Sequence, residues 1–324
     1  MRAVVCSELG PAEKLSLVDL PDPVPGPGEV VLDVRAAALN FPDTLVIEGK
    51  YQMKPELPFI PGGEASGVVS AVGEGVAGVP IGAPFISMGL VGAFAEKWKV
   101  PAHSLMPKPD KLSFEEAAAF GLTYGTSYYA LKQRAGLQPG ETLLVLGAAG
   151  GVGSSAVEIG KAMGARVIAA ASTDEKLVFA ADMGADEGIN YTTEDLRGRI
   201  KELTGGAGAD VVYDPVGGDL SEPALRSTAW NGRFLVIGFA AGPIPEIALN
   251  LALLKGLSIV GVFWGSWAGR DPAASMQNFG ELFSMVDEGK LHPRVTDVFR
   301  LEDYEEAFGS LTGRRARGKV VLTV

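Results

Sequence analysis

The feature that most constrains this chain is a glycine-rich junction between a strand and a helix near its middle. The stretch "LGAAGGVGSSAV", residues 146–157, follows the apolar run "ETLLVL" and leads into the helix-like run "SSAVEIGKAMG". A strand, a glycine turn and a helix in this order are typical of a dinucleotide-binding site, because the backbone can approach a diphosphate at the positive end of the helix. The key positions are Ala148, Gly150 and Gly153, so alanine stands at the first glycine position.

Strand-like and helix-like runs alternate around this motif from about residue 120 onward. "RVIAAAS" precedes "DEKLVFAADMG", "GINY" precedes "TEDLRGRIKELTGG", and "DVVYDPVG" precedes "LSEPALRSTAW". The strands are nearly all apolar, as strands covered by helices on both faces are, so a doubly wound parallel sheet of the α/β class is predicted. A glycine turn alone also occurs without a ligand, but this context favours diphosphate binding. The diphosphate is predicted over the amides of Gly150, Gly151 and Val152, with Ala149 and Gly153 completing the turn.

The rest of the chain is rich in strand and turn signals. "EVVLDVRAAAL" reads as a strand and "GEASGVVSAVGEGV" as a glycine-punctuated strand pair. The tail contains a helix, "SMQNFGELFSMVDEGK", and a final strand, "GKVVLTV", which we expect to return to the first domain. The predicted domains are therefore a β-rich domain, residues 1–121 and 267–324, and an inserted nucleotide-binding domain, residues 122–266.

Composition excludes several classes of function. The net charge of −11 and the lack of a broad basic region argue against nucleic acid as a partner. No apolar run is long enough to cross a membrane, and the N-terminus does not resemble a secretory signal. Cys6 is the only cysteine, so neither an internal disulfide nor a cysteine-based zinc cluster can form within the chain. We expect Cys6 to be buried and the protein to be cytoplasmic.

The end of the second strand of the inserted domain bears on the choice between NAD and NADP. Nineteen residues after Gly153 comes Ser172, in "AAASTDEK". An uncharged, small side chain there leaves room for a 2′-phosphate, and Lys176 is close enough in sequence to pair with it. Asp174 could instead bind the ribose hydroxyls if the strand ends later, or it could cap the following helix. We expect NADPH to be favoured over NADH.

Four stretches, one of them the glycine motif, carry a family resemblance that spans the whole chain. "NFPDTLVIEGKY", "PGGEASGVVSAVGEGV", "GLTYGTSYYAL" and "AAGGVG", in this order, resemble the quinone oxidoreductase branch of the medium-chain dehydrogenase/reductase superfamily. The resemblance implies a Rossmann domain inserted into a β-rich, GroES-like catalytic domain, NADPH as cofactor and no zinc. It also implies a homodimer joined through an edge strand of the Rossmann sheet, for which "LSIVGVFWG" is the candidate.

The zinc ligands of related enzymes have no counterpart here. Asn40 stands where zinc-using relatives have a cysteine, and "GGE", ending at Glu64, stands where they have Gly-His-Glu. His103 and His292 lie outside these motifs, and we expect them in surface turns. Without a metal, the acceptor must be reactive by itself, as quinones and α,β-unsaturated carbonyls are.

The resemblance assigns roles to two groups of residues. Asn40 and Tyr51 are expected to line the active site and stabilise the acceptor oxygen, although Tyr51 could also simply pack in a loop. Leu45 stands where some relatives have a second tyrosine, so a more apolar pocket is expected. The remaining residues are expected to contact the cofactor: Thr126, Tyr191, Gly238, Phe239, Phe263 and Arg314. The register of Arg314 is open, because Arg315 and Arg317 follow it.

The predicted function is hydride transfer from NADPH to a quinone or enone, held in a cleft between the domains. An alternative is an enoyl-CoA or enoyl thioester reductase that uses Tyr51 as proton donor. A protein that binds NADPH without catalysis, with a structural or regulatory role, is the alternative of another class.

Overall fold

The structure is a computed structural model that describes all 324 residues, which form two compact units. The split unit comprises Met1–Leu122 and Pro293–Val324, and the central unit comprises Thr123–His292. The strands are β1 (Arg2–Val5), β2 (Ser16–Asp19), β3 (Glu29–Leu39), β4 (Glu64–Val72), β5 (Pro84–Met88), β6 (Lys97–Pro101), β7 (Leu105–Pro107), β8 (Thr142–Leu146), β9 (Arg166–Ala171), β10 (Glu187–Asn190), β11 (Ala209–Asp214), β12 (Thr228–Val236), β13 (Ser258–Gly261), β14 (Val295–Arg300) and β15 (Lys319–Thr323). The α-helices are α1 (Phe41–Ile47), α2 (Phe114–Ala118), α3 (Gly121–Tyr129), α4 (Gly151–Ala162), α5 (Asp174–Asp182), α6 (Leu196–Leu203), α7 (Ser221–Arg226), α8 (Asn250–Lys255), α9 (Trp264–Arg270), α10 (Pro272–Asp287) and α11 (Tyr304–Thr312).

The central unit is built on a six-stranded parallel sheet in the order β10-β9-β8-β11-β12-β13. Two of its inner strands, β8 and β9, are apolar after their first residue, and residues 143–146 of β8 are wholly buried. Helices α4 to α7 connect successive strands, as expected when parallel strands need crossover connections. The predicted doubly wound α/β fold is confirmed.

The split unit is β-rich and joins the two ends of the chain. A seven-stranded sheet runs β14-β15-β3-β4-β5-β7, with β6 also paired to β3, and β1 and β2 form a separate pair. β15 lies antiparallel to β3, with Val320 opposite Leu39. The expected return of the final strand to the first domain is therefore confirmed.

The boundary between the units differs from the sequence-based prediction at the C-terminal side. The stretch 267–292, assigned above to the β-rich domain, lies in the central unit and contains α10. Asn278 and Glu281 on α10 bond to Lys132, whose Nζ lies 2.5 Å from Glu281 Oε2. These contacts with a residue 146 and 149 positions earlier in the chain place the helix in the central unit.

The strand β4 and the residue Cys6 can also be compared with the sequence-based expectations. "GEASGVVSAVGEGV" contains one strand, β4, rather than a strand pair, and Gly67 lies inside that strand, paired with Val34 of β3 and Phe85 of β5. Cys6 is wholly buried, as expected. None of the helices has the length and apolar character needed to cross a membrane.

Candidate active site

The turn between β8 and α4 begins one residue earlier than the motif spacing suggests. Gly147 adopts a left-handed backbone conformation with φ +59°, which favours glycine. Ala148 does not have a positive φ, so alanine is tolerated at the first glycine position of the motif. The N–H of Gly150 donates to Gly147 O at 2.9 Å and closes the turn. A Cβ on Gly153 would lie 2.1 Å from that same oxygen, so only glycine allows α4 to start this close to β8.

This turn leaves three backbone amides open at the start of α4. The N–H groups of Gly151, Val152 and Gly153 make no hydrogen bond within the chain. The first N–H groups of a helix have no helical carbonyl four residues earlier to which they could donate. The Gly150 amide, which the sequence analysis assigned to the diphosphate, is instead used inside the turn. The three open amides, together with the helix dipole, fit a diphosphate group.

The end of β9 carries the residues predicted to discriminate between the two nucleotides. β9 ends at Ala171, so Ser172 is the first residue beyond the strand. Lys176 Nζ donates to Ser172 Oγ at 3.2 Å, which places the lysine and the serine side by side. Thr173 caps α5 by accepting from the Lys176 amide, so Asp174 is not the cap that we considered from the sequence.

A second set of predicted contacts follows β12. The backbone of Ile237 and Gly238 bonds to Asp214 O at the end of β11, and Phe239 packs against Gly217, where a Cβ would lie 2.9 Å from the ring. The Asp214 carboxylate is 3% exposed and accepts from the Gly217 amide at 2.8 Å. Asp214 thereby holds the loop against which Gly238 and Phe239 rest, a role that the sequence analysis missed.

The remaining predicted cofactor residues lie at separate places. Thr126 is half-buried on α3, and Phe263 is 51% exposed where α9 begins. Tyr191 donates its N–H to Ala171 O, next to Ser172, so it joins the group at the end of β9. Arg314 lies in the split unit, exposed after α11 with φ +55°. The structure therefore brings Tyr191 and Ser172 together, and the cofactor contacts of Thr126, Phe263 and Arg314 stay predictions.

In the split unit, Asn40 belongs to a buried network of charged groups. Its Nδ2 donates to Glu64 Oε1 at 2.7 Å, and its Oδ1 accepts from Lys319 Nζ at 2.5 Å. Lys319 also forms a salt bridge with Glu64 at 2.8 Å, and both side chains are almost wholly buried. The other hydrogen of the Asn40 amide points to Ala38 O at 3.4 Å. The role of Asn40 toward the acceptor stays a prediction, and this amide would have to break a bond to play it.

Tyr51 lies just after α1 and is half-buried. Its backbone N–H bonds to Leu45 O, while its hydroxyl has no hydrogen-bond partner in the chain. Burial, followed by the negative charge of Asp43, raises the pKa of Tyr51. Asp43 is 5% exposed, and its Oδ2 accepts a hydrogen bond from the backbone N–H of Asn40 at 2.7 Å. Burial raises the pKa of Asp43 to about 7. The tyrosine is thus protonated at neutral pH and able to donate.

These residues do not fit a zinc ion. The positive Lys319 ammonium sits against Asn40 and Glu64, the two positions that correspond to the metal-binding motifs of zinc-using relatives. The structure contains no group of three or more His, Cys, Asp or Glu side chains arranged to hold a metal. His103 and His292 are both exposed. Sequence analysis missed Lys319, because a lysine at the start of a strand is usually exposed and its partners Asn40 and Glu64 are far away in sequence.

The doubly wound sheet, its glycine turn and the β-rich unit define a nucleotide-dependent oxidoreductase of the medium-chain type. Residues 26–110 match the family model described as alcohol dehydrogenase GroES-like domain, and residues 151–282 match that of zinc-binding dehydrogenase. A quinone oxidoreductase-like protein 2 homolog from Nematostella vectensis is 40% identical over 99% of this chain and 88% of its own.

Solved structures agree with these matches over the full length of both chains. The quinone oxidoreductase of Escherichia coli, solved in complex with NADPH, has a TM-score of 0.93 at 31% identity. A protein described as NAD-dependent alcohol dehydrogenase has a TM-score of 0.89 at 37% identity. The chain belongs to the quinone oxidoreductase family of the medium-chain dehydrogenase/reductase superfamily and is an oxidoreductase that uses a nicotinamide cofactor.

Proposed function

We propose that this protein is an NADPH-dependent, zinc-independent reductase of quinones or other conjugated carbonyl compounds. The observation that carries the proposal is the pairing of three open amides at the start of α4 with Lys176 and Ser172 at the end of β9. The amides suit the diphosphate, and the lysine and serine suit a 2′-phosphate. The likeness to the E. coli enzyme, which was solved with NADPH, supports the same cofactor.

The chemistry of the split unit supports an acceptor that is reactive without a metal. Bound NADPH would supply a hydride from C4 of its nicotinamide ring. When the hydride adds to a conjugated carbonyl, the electron pair moves to the acceptor oxygen, which then needs a hydrogen-bond donor and a proton. The Tyr51 hydroxyl is protonated and has no hydrogen-bond partner within the chain, so it is our candidate for this donor. It would give its proton to the reduced acceptor, and water would then reprotonate the tyrosinate.

The alternative acceptor is an enoyl thioester, and the same tyrosine favours it. An enolate formed by hydride addition must take up a proton at carbon, whereas a quinol takes its protons from water. Tyr51 would therefore matter more for an enoyl thioester than for a quinone. Binding of NADPH without its oxidation by any acceptor would support the non-catalytic alternative.

The deciding experiment follows oxidation of NADPH and NADH with ortho-quinones, enals and enoyl-CoAs as acceptors. Lys176→Ala should weaken NADPH binding about tenfold or more and leave NADH binding unchanged, because only NADPH carries the additional phosphate. Lys201→Ala is the control, since Lys201 is an exposed lysine on α6 of the same unit. Equal effects of Lys176→Ala on the two nucleotides would contradict the assignment.

We also propose that the protein is a homodimer joined at β13. This strand is an edge of the parallel sheet, so one side of it has no strand partner. Large apolar side chains near this edge are exposed: Trp230, Leu249, Leu253, Leu254 and Ile259. A second copy would cover them. Leu253→Glu should give a monomer in sedimentation experiments, whereas the exposed Val178→Glu on α5 should not.

A further inference from the structure

The ends of two neighbouring strands in the central unit hold an aspartate in a defined position. Asn190 is the last residue of β10 and lies opposite Ala171, the last residue of β9. Its side chain is 6% exposed. Its Nδ2 donates to Asp174 Oδ1 at 2.7 Å. The bond joins the end of β10 to the first turn of α5.

The direction of the Asn190 amide is fixed by a second contact. The backbone N–H of Thr192 donates to Asn190 Oδ1 at 3.1 Å. A backbone N–H can only donate, so the oxygen of the amide must face Thr192 and the NH2 group must face Asp174. The Asn190 NH2 group is therefore the donor and the Asp174 carboxylate is the acceptor.

Asp174 is an acidic residue that lies in the sequence between Ser172 and Lys176, the two residues predicted to bind a 2′-phosphate. It follows Ser172 by two residues and precedes Lys176 by two. A carboxylate free to turn toward the adenosine ribose would accept hydrogen bonds from the ribose hydroxyls of NADH and would repel the phosphate of NADPH. The position of Asp174 thus bears directly on the choice of nucleotide.

We propose that Asn190 determines nucleotide specificity by holding the Asp174 carboxylate at the end of β10, away from the 2′ position of the ribose. Ser172 and Lys176 are then left to receive the 2′-phosphate. This inference rests on the proposed function, because it assumes that the nucleotide binds at the ends of β9 and β10. It adds a residue, Asn190, to which the sequence analysis gave no role.

The test measures dissociation constants of NADPH and NADH by calorimetry, without turnover. Asn190→Ala should shift the preference about tenfold toward NADH, since the carboxylate is released. The double variant Asn190→Ala/Asp174→Ala should restore the wild-type preference, because it lacks the same amide but has no carboxylate to release. This double variant separates the effect of the carboxylate from any general loosening at the end of β10.

Thr193→Val is the matched control. It removes a hydroxyl that contacts the backbone oxygen of Asn190, but it keeps the Asn190 side-chain bond to Asp174 and the Thr192 N–H that orients the amide, so the preference should stay as in the wild type. Three results would overturn the inference: an unchanged preference in Asn190→Ala, a shift that persists in the double variant, or a loss of NADH affinity in Asp174→Ala alone. Failure of the wild type to bind either nucleotide would instead overturn the proposed function, and the inference with it.

Discussion

The buried salt bridge between Lys319 and Glu64 makes a quantitative prediction about the split unit. Lys319→Met keeps most of the volume of the side chain and removes its charge. The Glu64 carboxylate, which is wholly buried, would lose its partner at 2.8 Å. Removing one member of such a pair costs about 3–5 kcal/mol, because an uncompensated charge stays behind.

The contacts that survive set the expected value within that range. Glu64 would keep the Asn40 Nδ2 bond at 2.7 Å and the Leu122 amide bond at 2.8 Å. These two bonds stabilise the remaining charge, so we expect the lower limit, about 3 kcal/mol. In a unit of about 150 residues this corresponds to a fall in Tm of about 6–12 °C.

Hydrogen exchange of the β3 and β15 amides is the appropriate assay, since it reports the stability of the split unit even if the two units unfold separately. NADPH binding serves as a control that the central unit is intact. The double variant Lys319→Met/Glu64→Gln removes both charges, and we expect it to be more stable than Lys319→Met by at least about 1 kcal/mol. A loss below about 0.5 kcal/mol in Lys319→Met, or simple additivity in the double variant, would refute this account.

Three further outcomes are expected. Burial raises the pKa of Asp43 to about 7, so between about pH 4 and pH 7 the folded chain holds a proton on this carboxyl that the unfolded chain has released. The free energy of unfolding should therefore fall as pH rises through this window. Urea unfolding of Asp43→Asn should lack that part of the pH dependence. Glu158 in α4 is 6% exposed and accepts hydrogen bonds from the Tyr124 hydroxyl and the His292 backbone N–H, both at 2.5 Å. Glu158→Gln should therefore lower the free energy of unfolding by about 1–2 kcal/mol and speed hydrogen exchange at the His292 amide. An unchanged exchange rate would contradict this. Tyr51→Phe should lower kcat about a hundredfold with an enoyl thioester and less than about tenfold with a quinone. A kcat unchanged from the wild type with both acceptors would remove Tyr51 from the mechanism.

Local patterns predicted those parts of the fold that depend on neighbouring residues in the chain. The strands β3 and β8 and the helix α4 follow from apolar runs and a glycine turn, which act over a few residues. The position of α10 could not be predicted in this way. Its pattern of apolar residues shows that one face is buried but not against which unit, and the contacts with Lys132 that decide the matter are far away in sequence.

The candidate site shows the same limit. The glycine turn was predictable because diphosphate binding needs particular residues at short spacing. The use of the Gly150 amide inside the turn was not, since it depends on the left-handed conformation of Gly147. The Lys319 contact with Asn40 joins residues 279 positions apart, and the bond between Asn190 and Asp174 depends on strand order, so neither has a signal in local sequence.

The pairing of β15 with β3 has a consequence for the order in which the protein is made. The central unit is one continuous stretch, residues 123–292, and it emerges from the ribosome before β15 has been translated. Until then residues 36–39 of β3 lack β15 on one side, although Ala36 and Ala37 can pair with β4 on the other, and Asn40 lacks Lys319. A nascent chain could therefore acquire a site for the nucleotide before it completes the unit that holds Tyr51, and the exposed edge of β3 is the part that a chaperone would have to shield.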